Sequence, residues 1–285
     1  MRQTICAVLL LIGALARSPA TADEAGAGRA DRLNLEYAIY FGGVHVVDLN
    51  VDVDLAATSY DVKTQVRTVG FLHWLTEWRL DAMTEGAIIE GTRLMPARHR
   101  VRTEFRGRPR TVAIDFTGGD VADVRIVPPP GEDGSRNEVP RAAMRGALDP
   151  TSALLGLTRR LTAGKGCTGR IPVFDGRRRY DVVAVEHGPD EIPATDYGLF
   201  NGTALRCDFK VEPIAGYDAR NPEAEERRRQ LSHGRAWFAA VVEGLPPMPV
   251  RIELGGDPVS AMVHLREVQW PGGAAAMSRT EADKD

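Results

Sequence analysis

Cysteine, long apolar runs and catalytic motifs are all scarce in this chain of 285 residues. Of its three cysteines, Cys6 lies in the N-terminal segment described below, which leaves Cys167 and Cys207 for the rest of the protein. After residue 22, no apolar run approaches the roughly 20 residues that a membrane-spanning helix needs. The sequence therefore predicts no stable insertion into a membrane.

Common catalytic and metal-binding motifs are also missing. The six histidines are His45, His73, His99, His187, His233 and His264. None lies within four residues of another, so the chain has no helical metal-binding pair. It has no G-x-S-x-G motif, phosphate-binding loop or dinucleotide-binding glycine pattern. We therefore expect no catalytic activity, no metal and no cofactor, although a hydrolase site assembled from distant residues remains an alternative.

The charge balance argues against a dedicated nucleic-acid binder. The chain has 36 basic and 39 acidic residues, and the two signs are interspersed. Its formal charge of −3 becomes more negative once Arg2 and Arg17 leave with the segment that we predict to be cleaved. A nucleic-acid partner would select for a basic patch instead.

The first 22 residues have the pattern of a secretory signal peptide. Arg2 is basic, residues 5–16 form an apolar run too short to cross a bilayer, and residues 18–22 form a small-residue cleavage site. Cleavage after Ala22 removes Cys6, and residues 18–25 contain no cysteine that could carry a lipid. We predict a soluble periplasmic protein in which residues 23–32 form a flexible leader.

Polar and apolar residues alternate along most of the remaining chain. Residues 33–41 and 44–54 alternate with period two on either side of Gly42 and Gly43, which is the pattern of a β-hairpin. Similar runs recur up to residue 269, and Pro96 predicts a break between two of them. The acids at 48, 52 and 54 share one face of a predicted strand, which favours a solvated sheet face over a calcium loop.

One segment carries clear helix signals. Asp149 is a suitable N-cap, Pro150 suits the first helical position, and Leu154, Leu157 and Leu161 form one apolar stripe. We expect a single helix from Asp149 to about Thr162. The predicted fold is mainly β: residues 33–270 form one domain with a curved antiparallel sheet or partly open β-barrel, against which this helix packs. Residues 271–285 form a tail that we expect to be disordered.

Cys167 and Cys207 bracket a block of predicted strands. Asp175 and Gly176 favour a tight hairpin turn within this block. In an oxidising compartment the two cysteines are expected to form a disulfide. Two separate buried thiols are the alternative.

Two short segments have side chains suited to a lipid-like ligand. Residues 71–78 are rich in aromatic and aliphatic side chains, which fits an apolar lip against a ligand or membrane, but also core packing or a cap over the barrel mouth. Residues 177–179 are three arginines, which either hold an anionic head group or solvate a turn and an edge strand. The candidate ligand-binding residues are Phe71, Leu72, Trp74, Leu75, Trp78, Arg177, Arg178 and Arg179.

Five motifs resemble a family of exported bacterial β-proteins named domain of unknown function 3108. The resemblance covers roughly residues 33–270. The motifs are E-Y-A-I-Y-F-G-G, G-F-L-H-W-L-T-E-W, D-P-T-S-A-L-L-G-L, P-V-F-D-G-R-R-R-Y-D-V and P-M-P-V-R-I-E-L. The resemblance implies no catalytic residues, because the family has no established activity. The expected architecture is similar to that of the half-barrel lipoprotein carriers of the cell envelope, which is an analogy of fold alone.

These observations favour a periplasmic, non-enzymatic protein that binds an apolar or lipid-like ligand in a curved sheet. A second hypothesis is an interaction or scaffold module that binds another envelope protein. A third is a hydrolase, which requires a serine, a histidine and a carboxylate in one cleft. The sequence makes no prediction about the oligomeric state.

Overall fold

The structure is a computed structural model that describes residues 31–129, 139–217, 232–256 and 259–277. Within these ranges there are fourteen strands and three helices. The strands are β1 (Asp31–Phe41), β2 (Val44–Leu55), β3 (Ser59–Thr68), β4 (Trp78–Ile89), β5 (Arg93–Phe105), β6 (Arg108–Thr117), β7 (Asp120–Val127), β8 (Gly169–Phe174), β9 (Arg179–Ile192), β10 (Gly202–Ala215), β11 (His233–Ala239), β12 (Met248–Gly256), β13 (Val259–Trp270) and β14 (Gly273–Ala276). The helices are α1 (Gly70–Thr76), α2 (Arg141–Met144) and α3 (Pro150–Thr162). The predicted signal peptide lies outside the described residues.

The strands form one antiparallel sheet built from two meanders. Its order is β7-β6-β5-β4-β3-β2-β1-β13-β12-β11-β10-β9-β8, and β14 pairs with β13. The first and second meanders are joined by the pairing of β1 with β13. In the part of the chain that the structure describes, no ladder connects β7 to β8. The predicted curved, open antiparallel sheet is therefore confirmed.

A cross-strand row of side chains marks the concave face of the first meander. The row passes through β1 to β6, and each of its members is at most 8% exposed. Its residues, in register, are Leu33, Val53, Val62, Thr84, His99 and Ile114. The opposite face is polar: Asn34 donates to Asp52 (2.8 Å) and Arg67 to Asp48 (3.3 Å). These hydrogen bonds between polar side chains fit the predicted solvated face of the sheet.

Helix α3 packs against the concave face. Asp149 caps its N-terminus by accepting a hydrogen bond from the Ser152 backbone N–H (2.9 Å). Ser152 and Tyr60 share a side-chain hydrogen bond of 2.8 Å, which ties the first turn of α3 to β3. Leu157 of the predicted stripe is buried, whereas Leu154 is 45% exposed. The helix therefore fills part of the interior, as the sequence predicted, but its apolar stripe is not wholly covered.

The two ends of the sheet meet through side-chain packing. Phe174, at the end of β8, belongs to the same buried cluster as Val112 and Ile114 of β6. Leu148 extends the sheet beyond β8 through a parallel bridge to Val173. The curved sheet is thus closed at this point by apolar contact between β6 and β8, which are not neighbours in the sheet.

A disulfide joins Cys167 and Cys207, as predicted, with their Cα atoms 6.3 Å apart. Both residues are buried. Cys167 precedes the edge strand β8, and Cys207 lies on β10, two strands away. The bridge therefore holds the edge of the second meander across the intervening β9, and it closes a 40-residue loop. In the chain-entropy model such a loop contributes roughly 4 kcal/mol of stability.

Several segments differ from the sequence-based predictions. Strand β5 continues through Pro96, because a register shift beside Gly86 forms a bulge where the missing N–H of proline is tolerated. The tail that was expected to be disordered from residue 271 instead contains β14, which pairs with β13. The flexible leader was expected to reach residue 32, but β1 begins at Asp31. Residues 70–76 form helix α1, which has no buried residue and so is not core.

Candidate functional site

An apolar cavity of about 260 Å³ lies between α3 and strands β8 to β13. The helix contributes Pro150, Ala153, Leu154 and Leu157 to its wall. On the opposite wall are residues from six strands: Ile171, Val173, Tyr180, Val182, Ala184, Cys207, Phe209, Ala236, Phe238, Ile252, Leu254 and Val263. Leu154 is partly exposed, so the cavity approaches the surface beside α3.

The period-two pattern of the strands builds the sheet wall of this cavity. Cys207, Ala236, Ile252 and Val263 are paired in register across β10, β11, β12 and β13, and all four point to the helix side. Small side chains at positions such as Ala236 leave space between the sheet and the helix. The cavity therefore results from the distance between two packed elements, which no single segment of sequence encodes.

The lining chemistry suits a small apolar molecule. Tyr180 has the only polar functional group among the lining side chains. Burial raises the pKa of Tyr180, so its hydroxyl stays neutral and can take part only in hydrogen bonding. An apolar cavity of about 150 Å³ is already large enough to take up benzene. The larger space here can therefore accept a ring or a short stretch of acyl chain, but no charged group.

A buried polar network lies at the N-terminal end of α3. Thr84 and His99 share a hydrogen bond of 2.7 Å, and His99 Nδ1 lies 3.3 Å from Asp149 Oδ1. The same carboxylate oxygen also accepts the Ser152 N–H and, at 3.4 Å, the Thr84 hydroxyl. Burial lowers the pKa of His99, which keeps the imidazole neutral near pH 7 despite the nearby carboxylate.

This network brings a serine, a histidine and a carboxylate together, but its geometry does not resemble that of a hydrolase. Ser152, His99 and Asp149 are each at most 3% exposed, so a substrate cannot reach them. The Ser152 hydroxyl pairs with Tyr60. The arrangement instead supplies hydrogen bonds to the buried end of a helix. Sequence reasoning missed Thr84 and His99, although both are polar residues in phase with the core positions of their strands.

The aromatic segment that we predicted to bind a ligand lies on the surface. Helix α1 carries Phe71, Leu72, Trp74 and Leu75, and Trp78 begins β4. Trp74 is 87% exposed, and Phe71 and Leu75 are more than half exposed. None of the five lines the cavity. Their role in ligand binding stays a prediction.

The three arginines lie at the turn between β8 and β9, where Asp175 accepts hydrogen bonds from the backbone N–H groups of Arg177 and Arg178. Arg179 is buried and donates to Asp181 (2.5 Å) and to the carbonyl of Ala143 (2.9 Å). The Arg178 guanidinium lies 5.8 Å from the centroid of the Tyr217 ring. These arginines do not line the cavity either, and their binding of an anionic head group also stays a prediction.

Both predicted segments lie at the same end of the sheet, because the β3–β4 and β8–β9 connections follow strands that run in the same direction. Among the described residues, no helix is long and apolar enough to cross a membrane, and no three His, Cys, Asp or Glu side chains meet in a way that could hold a metal ion.

The chain belongs to the family described as "Protein of unknown function (DUF3108)", whose family model matches residues 36–262. The resemblance seen in the sequence motifs is therefore confirmed. No curated protein matches the sequence. Among solved structures, the chain is similar to the "Beta-barrel-like Protein of Domain of Unknown Function DUF1849 from Brucella abortus", with 12% identity and a TM-score of 0.47. That match covers 85% of this chain and 97% of the other.

Proposed function

We propose that this protein is an exported, non-catalytic protein of the bacterial cell envelope that binds a small apolar or lipid-like ligand. The cavity between α3 and the second meander carries the proposal, because its wall is almost wholly apolar and reaches the surface at Leu154. A partly enclosed apolar space of this kind is a typical small-molecule site. A periplasmic location is supported by the signal-peptide pattern and by the buried disulfide, a bond that persists in oxidising compartments.

Uptake of a fluorescent fatty acid tests the site directly. We expect saturable binding of 11-(dansylamino)undecanoic acid by the wild-type mature chain, with the dansyl ring in the cavity and the acyl chain and its carboxylate outside the cavity mouth at Leu154. The dansyl group should then show the blue-shifted emission of an apolar environment. Leu154→Trp places a large ring at the cavity mouth, and Val182→Phe fills the space from β9. Each should weaken binding by at least about tenfold, since the ligand and the new ring compete for one volume.

Met83→Trp is the matched control. Met83 is a partly exposed aliphatic residue on β4 that does not line the cavity, so its replacement should leave binding unchanged. Far-UV circular dichroism of all three variants checks that they fold. Equal binding by wild type, Leu154→Trp and Val182→Phe would exclude this cavity as the site.

Native mass spectrometry of protein purified from a bacterial periplasm tests the proposal without an added probe. We expect a fraction of the protein to carry an apolar adduct that organic extraction removes. An adduct-free protein that also fails to take up the fluorescent fatty acid would contradict the proposed function.

A further inference from the structure

Exposed apolar side chains are concentrated at one end of the sheet. Among the described residues, six of the twelve large exposed apolar side chains lie on three neighbouring connections. These are the β1–β2 turn, the α1 segment between β3 and β4, and the β5–β6 turn. The six are Phe41, Val44, Phe71, Trp74, Leu75 and Phe105. We call residues 41–44, 70–77 and 105–108 together the apolar rim.

The topology places the three parts of the apolar rim in a row. Strands β1 to β6 are consecutive neighbours in the sheet, and each rim segment joins one pair of them. Because adjacent strands lie about 4.8 Å apart, successive rim segments are about 10 Å apart along the edge. Two hydrogen bonds join the β5–β6 turn to the α1 segment: the Arg106 backbone N–H donates to the Glu77 carbonyl (3.2 Å), and the Arg106 guanidinium donates to the Leu75 carbonyl (2.9 Å).

The apolar rim also carries positive charge. Arg106 lies in the β5–β6 turn and Arg108 begins β6, so the rim has two arginines and one acid, Glu77. The Arg106 guanidinium carbon lies 5.4 Å from the centroid of the exposed Phe105 ring, so a cationic and an apolar side chain lie next to each other in this turn. Tryptophan, phenylalanine and arginine are among the side chains that occupy the head-group region of a bilayer, where rings enter the apolar boundary and guanidinium groups contact phosphates.

We propose that the apolar rim docks the protein on the surface of a membrane that contains anionic phospholipid. A flat bilayer surface can contact three turns in a row at the same time, which matches the placement of the rim segments along one edge of the sheet. Trp74 and Phe71 enter the interface, and Arg106 and Arg108 contact lipid phosphates. This inference is independent of the proposed function, because no rim residue lines the cavity.

Vesicle flotation of the mature chain tests the docking surface. Wild type should float with vesicles of phosphatidylethanolamine and phosphatidylglycerol, and much less with vesicles of phosphatidylcholine alone. The double variant Phe71→Ser, Trp74→Ser should lose at least about tenfold in the fraction bound, because both rings leave the interface. Arg106→Glu should weaken binding at low salt, and added salt should weaken binding of the wild type.

Val185→Ser is the matched control, since Val185 is a 56% exposed apolar residue on β9, away from the rim. It should float like wild type, and so should the cavity variant Leu154→Trp. A wild type that does not float, or a Phe71→Ser, Trp74→Ser variant that floats as well as wild type, would overturn the docking surface. Neither result bears on fatty-acid uptake, so the two proposals fail separately.

Discussion

His264 on β13 is buried among aromatic rings and arginines. Its ring centroid lies 5.9 Å from that of Tyr40 and 6.0 Å from that of Tyr197, and the residue is 7% exposed. Burial, together with Arg251 and Arg266, lowers the pKa of His264 to about 4. The imidazole is therefore neutral in the folded protein at pH 7, and its protonation is unfavourable there.

This histidine should make the folded state sensitive to acid. The folded pKa lies below the ordinary value of 6.5, so between these two values the unfolded chain binds more protons. The neutral His264 side chain stabilises the folded state fully above about pH 6.5, and this stabilisation is lost as the pH falls towards 4. His264→Gln should therefore reduce the pH dependence of the free energy of unfolding in this window by on the order of 2 kcal/mol.

Urea denaturation at a series of pH values measures this effect. Some dependence should remain in His264→Gln, because burial also lowers the pKa of His99. His187→Gln, which alters an exposed histidine on β9, serves as the control and should follow the wild-type profile. Parallel profiles for wild type and His264→Gln between pH 4 and 6.5 would show that His264 does not act in this way.

At the scale of elements, the N-terminus of α3 depends on one buried polar side chain. Its N-cap, Asp149, is fully buried and also contacts Thr84 and His99 on the sheet. A helix N-terminus that is buried in this way needs an acceptor for its first N–H groups. Asp149 therefore serves both the helix and its docking on the concave face.

Replacing this cap should weaken the whole fold. Asp149→Ala should lower the free energy of unfolding by about 2–4 kcal/mol, because the Ser152 N–H loses its acceptor and Thr84 and His99 lose a buried partner. Asp120→Ala is a matched control, since the Asp120 carboxylate also accepts a backbone N–H, that of Gly146 (2.8 Å), but at an exposed site. It should cost less than about 1 kcal/mol. Equal costs in urea denaturation would mean that burial of the cap is unimportant.

At the scale of the whole molecule, the contact between β6 and the β8–β9 turn joins the two ends of the open sheet. Gly176 in this turn has φ +87° and lies against β6, where an added Cβ would collide with Val112. Only glycine satisfies both conditions, because other residues disfavour positive φ and have a side chain to place. The closure of the sheet thus depends on one residue without a side chain.

Comparing Gly176→Ala with a control glycine should separate two losses of stability: one from the disturbed contact between the ends of the sheet, and one from the positive φ of an alanine. We expect a loss of about 2–4 kcal/mol, made up of the unfavourable φ and the forced displacement of β6. Gly91→Ala is the control, since Gly91 has φ +74° but nothing within 4 Å of an added Cβ. It should lose only about 1 kcal/mol. The difference, measured by urea denaturation, should vanish if the two ends of the sheet do not depend on this contact.

The sequence predicted several elements well because their signals are local. Alternation along β1 and β2 shows which residues share a face, and the cap and proline before α3 mark where that helix starts. The disulfide followed from the small number of cysteines. Pro96 misled us for a related reason: its effect on a strand depends on the partner strand, and the bulge opposite Gly86 is a property of the pair.

The sequence by itself therefore determined the predominance of strands, the position of the packed helix, the pairing of the cysteines and the family. Only the tertiary structure decided where a cavity remains between packed elements and which distant residues come into contact. The cavity, the buried contacts of His99 and Asp149, and the alignment of three exposed turns all bring together residues that are far apart in the chain. Such arrangements depend on strand register and sheet curvature, which arise from the packing of many side chains at once.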